Sequence, residues 1–350
     1  MPASGRGEEA GPFALPTAEH PLVVKVVVLA MFEVGHDEGD TPGELQFWVE
    51  RRHLRHEIPL PAGYHSVRAG DDGVVATVTG EGTGRAAASV MALGLDARFD
   101  LSRAYWLVAG IAGINPKKGS IGSAVWADYV VDGDLAYEFD ARQVPPGWST
   151  GILPLSDNVP SSGLQPFAKP HGDAEAEAYA LDPALVHWAF NLTRDLPLAD
   201  STPLRENRSR YLTEAGRTPP KVLLGSTLSS SRFWHGRRMN AWAAAWVPYW
   251  TDGKGEYYTT AMEDSGTLQS LNRLARAGRV DLRRVLVLRT ASNFDSEPPS
   301  RTAVQNLADE VQHTYSAYLP SLEAAFQVGN KAVDALLKSW PAGPEAAPSP

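Results

Sequence analysis

Two short segments of the chain carry the residues best suited to chemistry. Arg289-Thr-Ala-Ser-Asn-Phe-Asp295 follows the apolar run at residues 285–288, and Ala261-Met-Glu-Asp264 lies about 25 residues upstream. An apolar run that ends in polar residues is typical of a buried parallel strand whose carboxyl end opens onto a site. A carboxylate can hold a sugar diol while an amide or acid holds a heterocycle. Cleavage of an N-glycosidic bond requires this combination.

The residues Ser292, Asn293 and Asp295 are candidates for contact with the heterocycle. A departing purine needs its N7 protonated or hydrogen-bonded while the sugar becomes oxocarbenium-like. Asp295 can donate a proton. Asn293 cannot, but its amide can both donate and accept hydrogen bonds. The alternative is an Asx-type turn after a strand, without a ligand.

Glu263 and Met262 are the candidates for the sugar. A buried glutamate can accept hydrogen bonds from vicinal hydroxyls, and a methionine can pack on the sugar face. The alternative is an acidic helix N-terminus stabilised by the helix dipole, which we prefer for Asp264.

A glycine-rich turn, Thr79-Gly-Glu-Gly-Thr-Gly84-Arg85, lies between a predicted strand and an Ala-rich helix. Its glycines, Gly80, Gly82 and Gly84, let the backbone approach a sugar or an anion, and Arg85 would add a cation. We therefore assign Gly80 and Arg85 to phosphate. A dinucleotide site would need an acid at the end of the next strand, which this chain lacks. A tight turn without a ligand is the other alternative.

Two further segments could line a pocket. Ala112 and Gly113 follow a predicted strand, where small residues leave room for a ligand or for close packing of a helix. In Ser231-Arg-Phe-Trp-His235, Phe233 and Trp234 could stack on a base and His235 could reach a hydroxyl or ring nitrogen. The alternative is an aromatic anchor for a long loop.

These segments need a scaffold of strands that end near one another. The pattern predicts strands at residues 23–30, 73–79, 105–109, 119–131, 221–225 and 284–288, and helices at residues 85–95, 175–191, 262–277 and 302–326. Residues 145–170 read as a long loop. Strand–helix alternation favours an α/β fold of three layers, α/β/α, around a mixed, mostly parallel central sheet. We predict one such domain at residues 21–338, between disordered tails at 1–20 and 339–350.

Composition excludes several classes of function. The net charge is −9, and no basic block points to nucleic-acid binding. The absence of cysteine excludes disulfides and thiolate chemistry, and histidine spacing predicts no metal site. No apolar run approaches the ~20 residues that span a membrane, and no signal peptide is evident. We expect a cytoplasmic or secreted protein, with the cytoplasm favoured.

The order of these motifs resembles the nucleoside phosphorylase and nucleosidase superfamily from about residue 22 to residue 330. The Gly80 turn, Ala109-Gly-Ile-Ala-Gly113, Met262-Glu263 and Arg289–Asp295 are similar to its glycine-rich turns, its ribose-holding Met-Glu pair and its Arg-x-x-Ser-Asp segment. Ser231-Arg-Phe-Trp-His-Gly236 and Arg289-Thr-Ala-Ser-Asn-Phe-Asp295 are more specific and resemble the purine nucleoside permease-like (NUP) family. The resemblance implies a nucleoside phosphorylase-like fold and a homo-oligomer.

The departures from the superfamily pattern concern its catalytic positions. Val26-Val-Val-Leu-Ala-Met-Phe-Glu33 is similar to the first strand and loop of bacterial methylthioadenosine/adenosylhomocysteine nucleosidases, but Val34 aligns with their catalytic glutamate. Ile111 replaces a serine. Asn293 replaces the catalytic aspartate, as in trimeric purine nucleoside phosphorylases that act on 6-oxopurines, and Asp295 is the alternative acid.

Two functions follow from these observations. The first is an enzyme that cleaves purine nucleosides by phosphorolysis or hydrolysis, to free base and ribose 1-phosphate or ribose, with Asn293, Asp295 and Glu33 catalytic. It would need no cofactor, with inorganic phosphate as a co-substrate in the phosphorylase case. The alternative is a non-catalytic purine nucleoside-binding protein that supports nucleoside uptake, which the amide at Asn293 allows.

Overall fold

Strands and helices alternate along the chain. The computed structural model describes residues 13–155, 177–312 and 315–342. The strands are β1 (Leu22–Val23), β2 (Val26–Ala30), β3 (His56–Ile58), β4 (Val67–Ala69), β5 (Val74–Val78), β6 (Phe99–Asp100), β7 (Tyr105–Ile114), β8 (Ala124–Asp132), β9 (Ala136–Glu138), β10 (Ile152–Pro154), β11 (Ala178–Ala180), β12 (Val222–Ser229), β13 (Tyr257–Ala261) and β14 (Val285–Phe294). The helices are α1 (Gln46–Arg52), α2 (Thr83–Leu95), α3 (Pro183–Thr193), α4 (Thr202–Arg208), α5 (Glu214–Arg217), α6 (Arg237–Trp250), α7 (Asp264–Arg276), α8 (Ala303–Gln312) and α9 (Tyr318–Ser339).

Ten of the strands form one mixed sheet. Its order is β11-β8-β12-β13-β7-β2-β5-β4-β3, and β14 pairs with both β7 and β8. The pairs β2–β5, β2–β7, β7–β14, β8–β12 and β12–β13 are parallel, whereas β3, β4 and β11 are added antiparallel. The strands β2, β5 and β14 are buried along their whole length; β2 and β5 are almost entirely apolar, and β14 is apolar over its first four residues, as sheets covered on both faces require.

Part of the sheet closes on itself. Because β14 pairs parallel with β7 and antiparallel with β8, the strands β8, β12, β13, β7 and β14 form a closed ring. The sequence did not predict this closure. It results from pairing between strands far apart in the chain, which local apolar patterns do not encode.

Helices cover the sheet. The last helix, α9, packs on β14, β7 and β2, and α6 packs on β12 and β13. The helices α2 and α7 pack against each other. The α/β class with a mixed central sheet is thus as predicted.

Several predicted boundaries are wrong in the same direction. The strands β7, β12 and β14 continue through Ile114, Ser229 and Phe294, beyond the predicted ends at residues 109, 225 and 288. Their small and polar residues stay in strand conformation because neighbours on both sides satisfy the backbone. Consequently Ala112, Gly113, Ser292 and Asn293 lie within strands rather than in the loops after them.

Other elements differ in kind. The helix α6 and strand β13 were not predicted, and residues 178–180 form β11 instead of the start of a helix. The helix α3 begins at Pro183, with Asp182 accepting a hydrogen bond from the Leu185 N–H. The predicted final helix is two helices, and Pro320 lies in the first turn of α9.

Parts of the predicted tails and loop, at residues 1–12, 156–176 and 343–350, lie outside the described residues. Within the described part of the chain, no helix has both the length and the apolar character needed to cross a bilayer.

The contact between α2 and α7 gives a test of the packing. A methyl group on Gly266 would lie 2.0 Å from the Thr83 carbonyl oxygen, so Gly266→Ala must push the helices apart. We expect a loss of about 1–3 kcal/mol in the free energy of unfolding, measured by denaturant titration. Gly84→Ala is the matched control, because no atom of the described residues lies within 4 Å of the added methyl group. Equal stability of the two variants would contradict the packing.

Candidate functional site

A pocket of about 290 Å³ opens where the ends of β2, β7, β13 and β14 meet. Its lining consists of Met31, Phe32, Glu44, Glu81, Ile111, Ala112, Gly113, Phe233, Thr260, Ala261, Met262, Glu263, Ser292, Asn293, Tyr315 and Tyr318. The only charged side chains among these described residues are the three glutamates. The pocket therefore suits a neutral ligand rich in hydrogen-bond donors better than an anion.

A bulge in β14 orients the amide of Asn293. The register between β14 and β7 shifts between Ala291 and Asn293, so Asn293 pairs with Gly113. Such bulges redirect side chains. The Asn293 Oδ1 accepts from the Ser292 hydroxyl at 2.9 Å, and its Nδ2 donates to the Phe294 carbonyl at 2.9 Å. One N–H and one lone pair of the amide are left for a ligand.

Glu263 lies at the other side of the pocket, where β13 gives way to α7. Its Oε1 accepts from the Gly82 N–H at 3.3 Å, and its Oε2 accepts from the Met262 N–H and from Arg289 Nη2, both at 3.1 Å. Burial raises the pKa of Glu263, and Arg289 opposes this shift. A carboxylate has about four lone-pair directions, so Oε1 can accept one more hydrogen bond, as a sugar hydroxyl would require.

Arg289 supplies the positive charge behind these carboxylates. It is only 1% exposed, and its Nε and Nη2 donate to Asp264 at 3.0 and 2.5 Å. Its Nη1 donates to the Ile111 carbonyl at 3.2 Å. Asp264 thus neutralises the arginine rather than only favouring the helix dipole.

Glu44 is a charged-type pocket residue that sequence reasoning missed. Its two carboxylate oxygens accept from the N–H groups of Met31 and Ile111, each at 2.6 Å. Burial, reinforced by Glu263 and opposed by Arg289, raises its pKa to about 8. A Cβ at position 110 would lie 2.6 Å from Arg289 Nη1 and 2.7 Å from Glu44, so only glycine fits there. Glu44 follows a loop without any motif, so no local signal marks it.

The prediction that Glu33 is catalytic does not agree with its position. Glu33 is absent from the pocket lining, and its carboxylate accepts from the backbone N–H groups of Val34, Gly43, Leu45 and Gln46. These bonds close the loop before α1 and satisfy free amides at that helix start. Glu33 therefore positions the loop that carries Glu44.

Asp295 is also outside the pocket. It is fully buried and accepts from Asn240 Nδ2 at 2.9 Å and from the Tyr257 hydroxyl at 2.5 Å. Burial raises its pKa to about 6, although these hydrogen bonds oppose the shift. Asp295 joins α6 and β13 to the end of β14. The structure thus places Asn293, and not Asp295, at the pocket.

The remaining predicted residues divide between the pocket and its surroundings. Phe233 lines the pocket and is 50% exposed, whereas Trp234 packs in the core against Trp242, with ring centroids 6.0 Å apart. His235 contacts Asn306 at 3.2 Å, away from the pocket, and burial lowers its pKa.

The glycine-rich turn contributes less than predicted. Gly80, Gly82, Gly84 and Arg85 do not line the pocket, although the Gly82 N–H holds Glu263 and Glu81 lies at the pocket's edge. The Arg85 guanidinium lies 5.9 Å from the centre of the Tyr64 ring and is exposed. The structure therefore does not bring the predicted phosphate contacts into the pocket.

The other residues that sequence reasoning missed come from strand ends and from the segment before α9. Met31 and Phe32 directly follow β2, so the rule that pointed to Ser292 would also have found them. Tyr315 lies between α8 and α9, and Tyr318 is the first residue of α9; no local sequence pattern marks either residue. Among the described residues, no cluster of three or more His, Asp or Glu side chains could hold a metal ion.

Comparison with known sequences identifies relatives over most of the chain. Residues 23–343 match the family model described as Purine nucleoside permease (NUP). A probable purine nucleoside permease of Schizosaccharomyces pombe is 31% identical over 267 residues, which cover 75% of each chain. A purine nucleoside permease of Candida albicans is 28% identical over 324 residues, which cover 90% of this chain and 75% of that protein.

Solved structures share the fold. The futalosine hydrolase of Helicobacter pylori aligns with a TM-score of 0.53 at 15% identity, over 89% of this chain and 97% of that chain. The 5'-methylthioadenosine/S-adenosylhomocysteine nucleosidase of the same organism aligns with a TM-score of 0.50 at 15% identity, over 89% and 98% of the two chains. These likenesses confirm the predicted nucleoside phosphorylase-like fold.

The prediction that the chain is an enzyme is wrong in the light of these relatives. The curated proteins similar to it are named permeases, which denotes transport and not catalysis. The resemblance predicted from the motifs is, in contrast, confirmed. Since the family model matches residues 23–343 and a relative is 31% identical over three quarters of its length, this chain belongs to the purine nucleoside permease family.

Proposed function

We propose that this protein binds purine nucleosides without cleaving them and supports their uptake. The observation that carries the proposal is the pairing, in one pocket, of a diol-accepting carboxylate at Glu263 with an amide at Asn293. Membership of the purine nucleoside permease family supports the choice of ligand and of process.

The pocket chemistry supports binding of a neutral nucleoside. Glu263 accepts one ribose hydroxyl, and Glu44 accepts the second on a lone pair that the Met31 and Ile111 N–H groups leave free. At the other side, Asn293 donates to and accepts from the purine edge. Phe233 and Met262 supply apolar surface for the ring and the sugar.

The lack of a proton donor at the base supports binding without cleavage. An amide cannot protonate a departing purine, and Asp295 makes its hydrogen bonds to Asn240 and Tyr257 outside the pocket. The described lining also contains no lysine or arginine that would hold phosphate.

The decisive experiment combines calorimetry with chromatography. The purified protein is titrated with adenosine, inosine and guanosine, and each mixture is then analysed for free base, with and without phosphate. We expect binding of at least one nucleoside and no release of base. Release of base would overturn the non-catalytic role, and absence of binding would overturn the proposed ligand.

Replacement of the diol acceptor tests the site itself. Glu263→Gln should weaken nucleoside binding by about 10- to 100-fold, because a hydrogen bond to a charged group is lost. The control is Glu323→Gln, which changes a carboxylate paired with Arg51 outside the pocket and should leave the dissociation constant unchanged. Calorimetry measures both, and equal losses would show that Glu263 has no special role.

Glu44 should make binding pH-dependent. Its pKa of about 8 in the free protein means that the carboxyl is protonated at neutral pH, whereas a ribose hydroxyl donates best to the ionised form. Binding therefore releases a proton, and affinity should rise by about threefold or more between pH 6 and 8 and then level off. In Glu44→Gln this rise should disappear. An unchanged pH profile in that variant would assign the titration to another group.

Uptake is tested in cells. Cells that take up adenosine poorly should accumulate more labelled adenosine when they express this protein, and Glu263→Gln expressed to the same level should not give this increase. Equal uptake with both forms would separate binding from transport. Assembly into a homo-oligomer and cytoplasmic localisation stay predictions.

A further inference from the structure

A second chamber adjoins the nucleoside pocket. It measures about 770 Å³ and lies between α4, α8 and the start of α9. Tyr315 and Tyr318 line both the chamber and the pocket. Burial raises the pKa of Tyr318 to about 12, and the nearby Glu44 carboxyl adds to this shift. The chamber therefore opens beside the carboxylates proposed to hold the sugar.

The helix α8 forms one wall of the chamber, and it buries its polar face and exposes apolar residues. Its polar residues Asn306 and Glu310, one turn apart, are buried on the chamber side, whereas Val304 and Val311 are 79% and 63% exposed. A surface helix normally buries its apolar stripe. Burying the polar face costs free energy unless that face finds hydrogen-bonding partners. The inversion indicates that the chamber is built to present polar groups.

Glu310 presents an incompletely satisfied carboxyl in this wall. It is 9% exposed, its Oε1 accepts from Asn306 Nδ2 at 3.3 Å, and its Oε2 has no hydrogen-bond partner among the residues that the structure describes. Burial raises its pKa to about 7. A buried carboxyl oxygen without a partner is costly, and a cationic donor in the chamber would satisfy it.

The chamber also contains a positive charge without a salt bridge. Arg210 lines it, lies near enough to lower the pKa of Glu310, and forms no ion pair among the described residues. The second arginine, Arg301, is already paired with Asp309. A phosphate dianion would thus meet one free guanidinium and several carboxylates, and a simple cation would meet Arg210. Only a ligand group that carries both a positive and a negative charge can pair with Glu310 and Arg210 at the same time.

We infer that the chamber binds an amino-acid-type zwitterion, with its ammonium group at Glu310 and its carboxylate at Arg210. The zwitterion can come from a free amino acid or from a substituent on the nucleoside sugar. The second source rests on the proposed function, because it requires the nucleoside in the adjoining pocket.

The test compares both sources by calorimetry on the full chain. For the linked source, adenosine with a thioether-linked α-amino acid on its 5′ carbon is compared with the same thioether ending in a methyl group. For the free source, glycine and L-methionine are compared with inorganic phosphate. We expect the linked zwitterion to bind at least about tenfold tighter than the methyl compound, or a free amino acid to bind where phosphate does not.

The variants identify the site of this gain. Glu310→Gln and Arg210→Ala should each weaken the binding of the linked zwitterion, or of the free amino acid, by about tenfold. The affinity for the methyl compound should stay the same. Arg217→Ala, which removes an exposed arginine outside the chamber, is the control and should change nothing. No gain in either arm, a gain that survives both variants, or a preference for phosphate would overturn the inference. Failure of adenosine, inosine and guanosine to bind would instead overturn the proposed function, and the free amino acids would then decide the chamber alone.

Discussion

The charge balance at Arg289 is the constraint on which the site depends. The buried Arg289 guanidinium forms ion pairs with Asp264 and Glu263, and Glu44 lies close enough for this positive charge to oppose the rise of its pKa. A buried charge left alone would cost several kcal/mol, so β14, α7 and the loop before α1 must meet at this point. The carboxylates outnumber the cation, and Glu44, whose pKa burial raises to about 8, is the one that holds a proton at neutral pH. Hydrogen-bond donors from a ligand can therefore change the protonation state of the carboxylates at the pocket.

The closed ring of strands gives this charge cluster its geometry. Gly113 of β7 pairs with Thr260 of β13 and with Asn293 of β14, so three strands converge at one residue without a side chain. The bulge at Ser292 then turns the Asn293 amide toward the pocket. Asp295, only two residues later, faces α6 instead and serves packing.

Much of this arrangement was predictable because it is local. The ends of apolar strands, the Met262-Glu263 pair and the segment at Ser292 and Asn293 were found from residue types alone, and all four residues line the pocket. Glu33, Asp295 and Trp234 lie outside the pocket for a common reason. Residue type and motif position suggested chemistry, but each side chain is used for hydrogen bonding or packing by neighbours distant in sequence. The same distance along the chain hid Glu44 and the two tyrosines.

The sequence by itself determined the α/β class, the family and the strands that end at the site, because apolar periodicity and short motifs are properties of neighbouring residues. The tertiary structure alone decided which carboxylates face the ligand, which proton is retained and which cation is neutralised. These depend on burial and on distances between groups such as Glu44, Glu263 and Arg289, which lie on separate elements of the chain. Desolvation and Coulomb energy vary with that three-dimensional placement, so no reading of the residues in order could supply them.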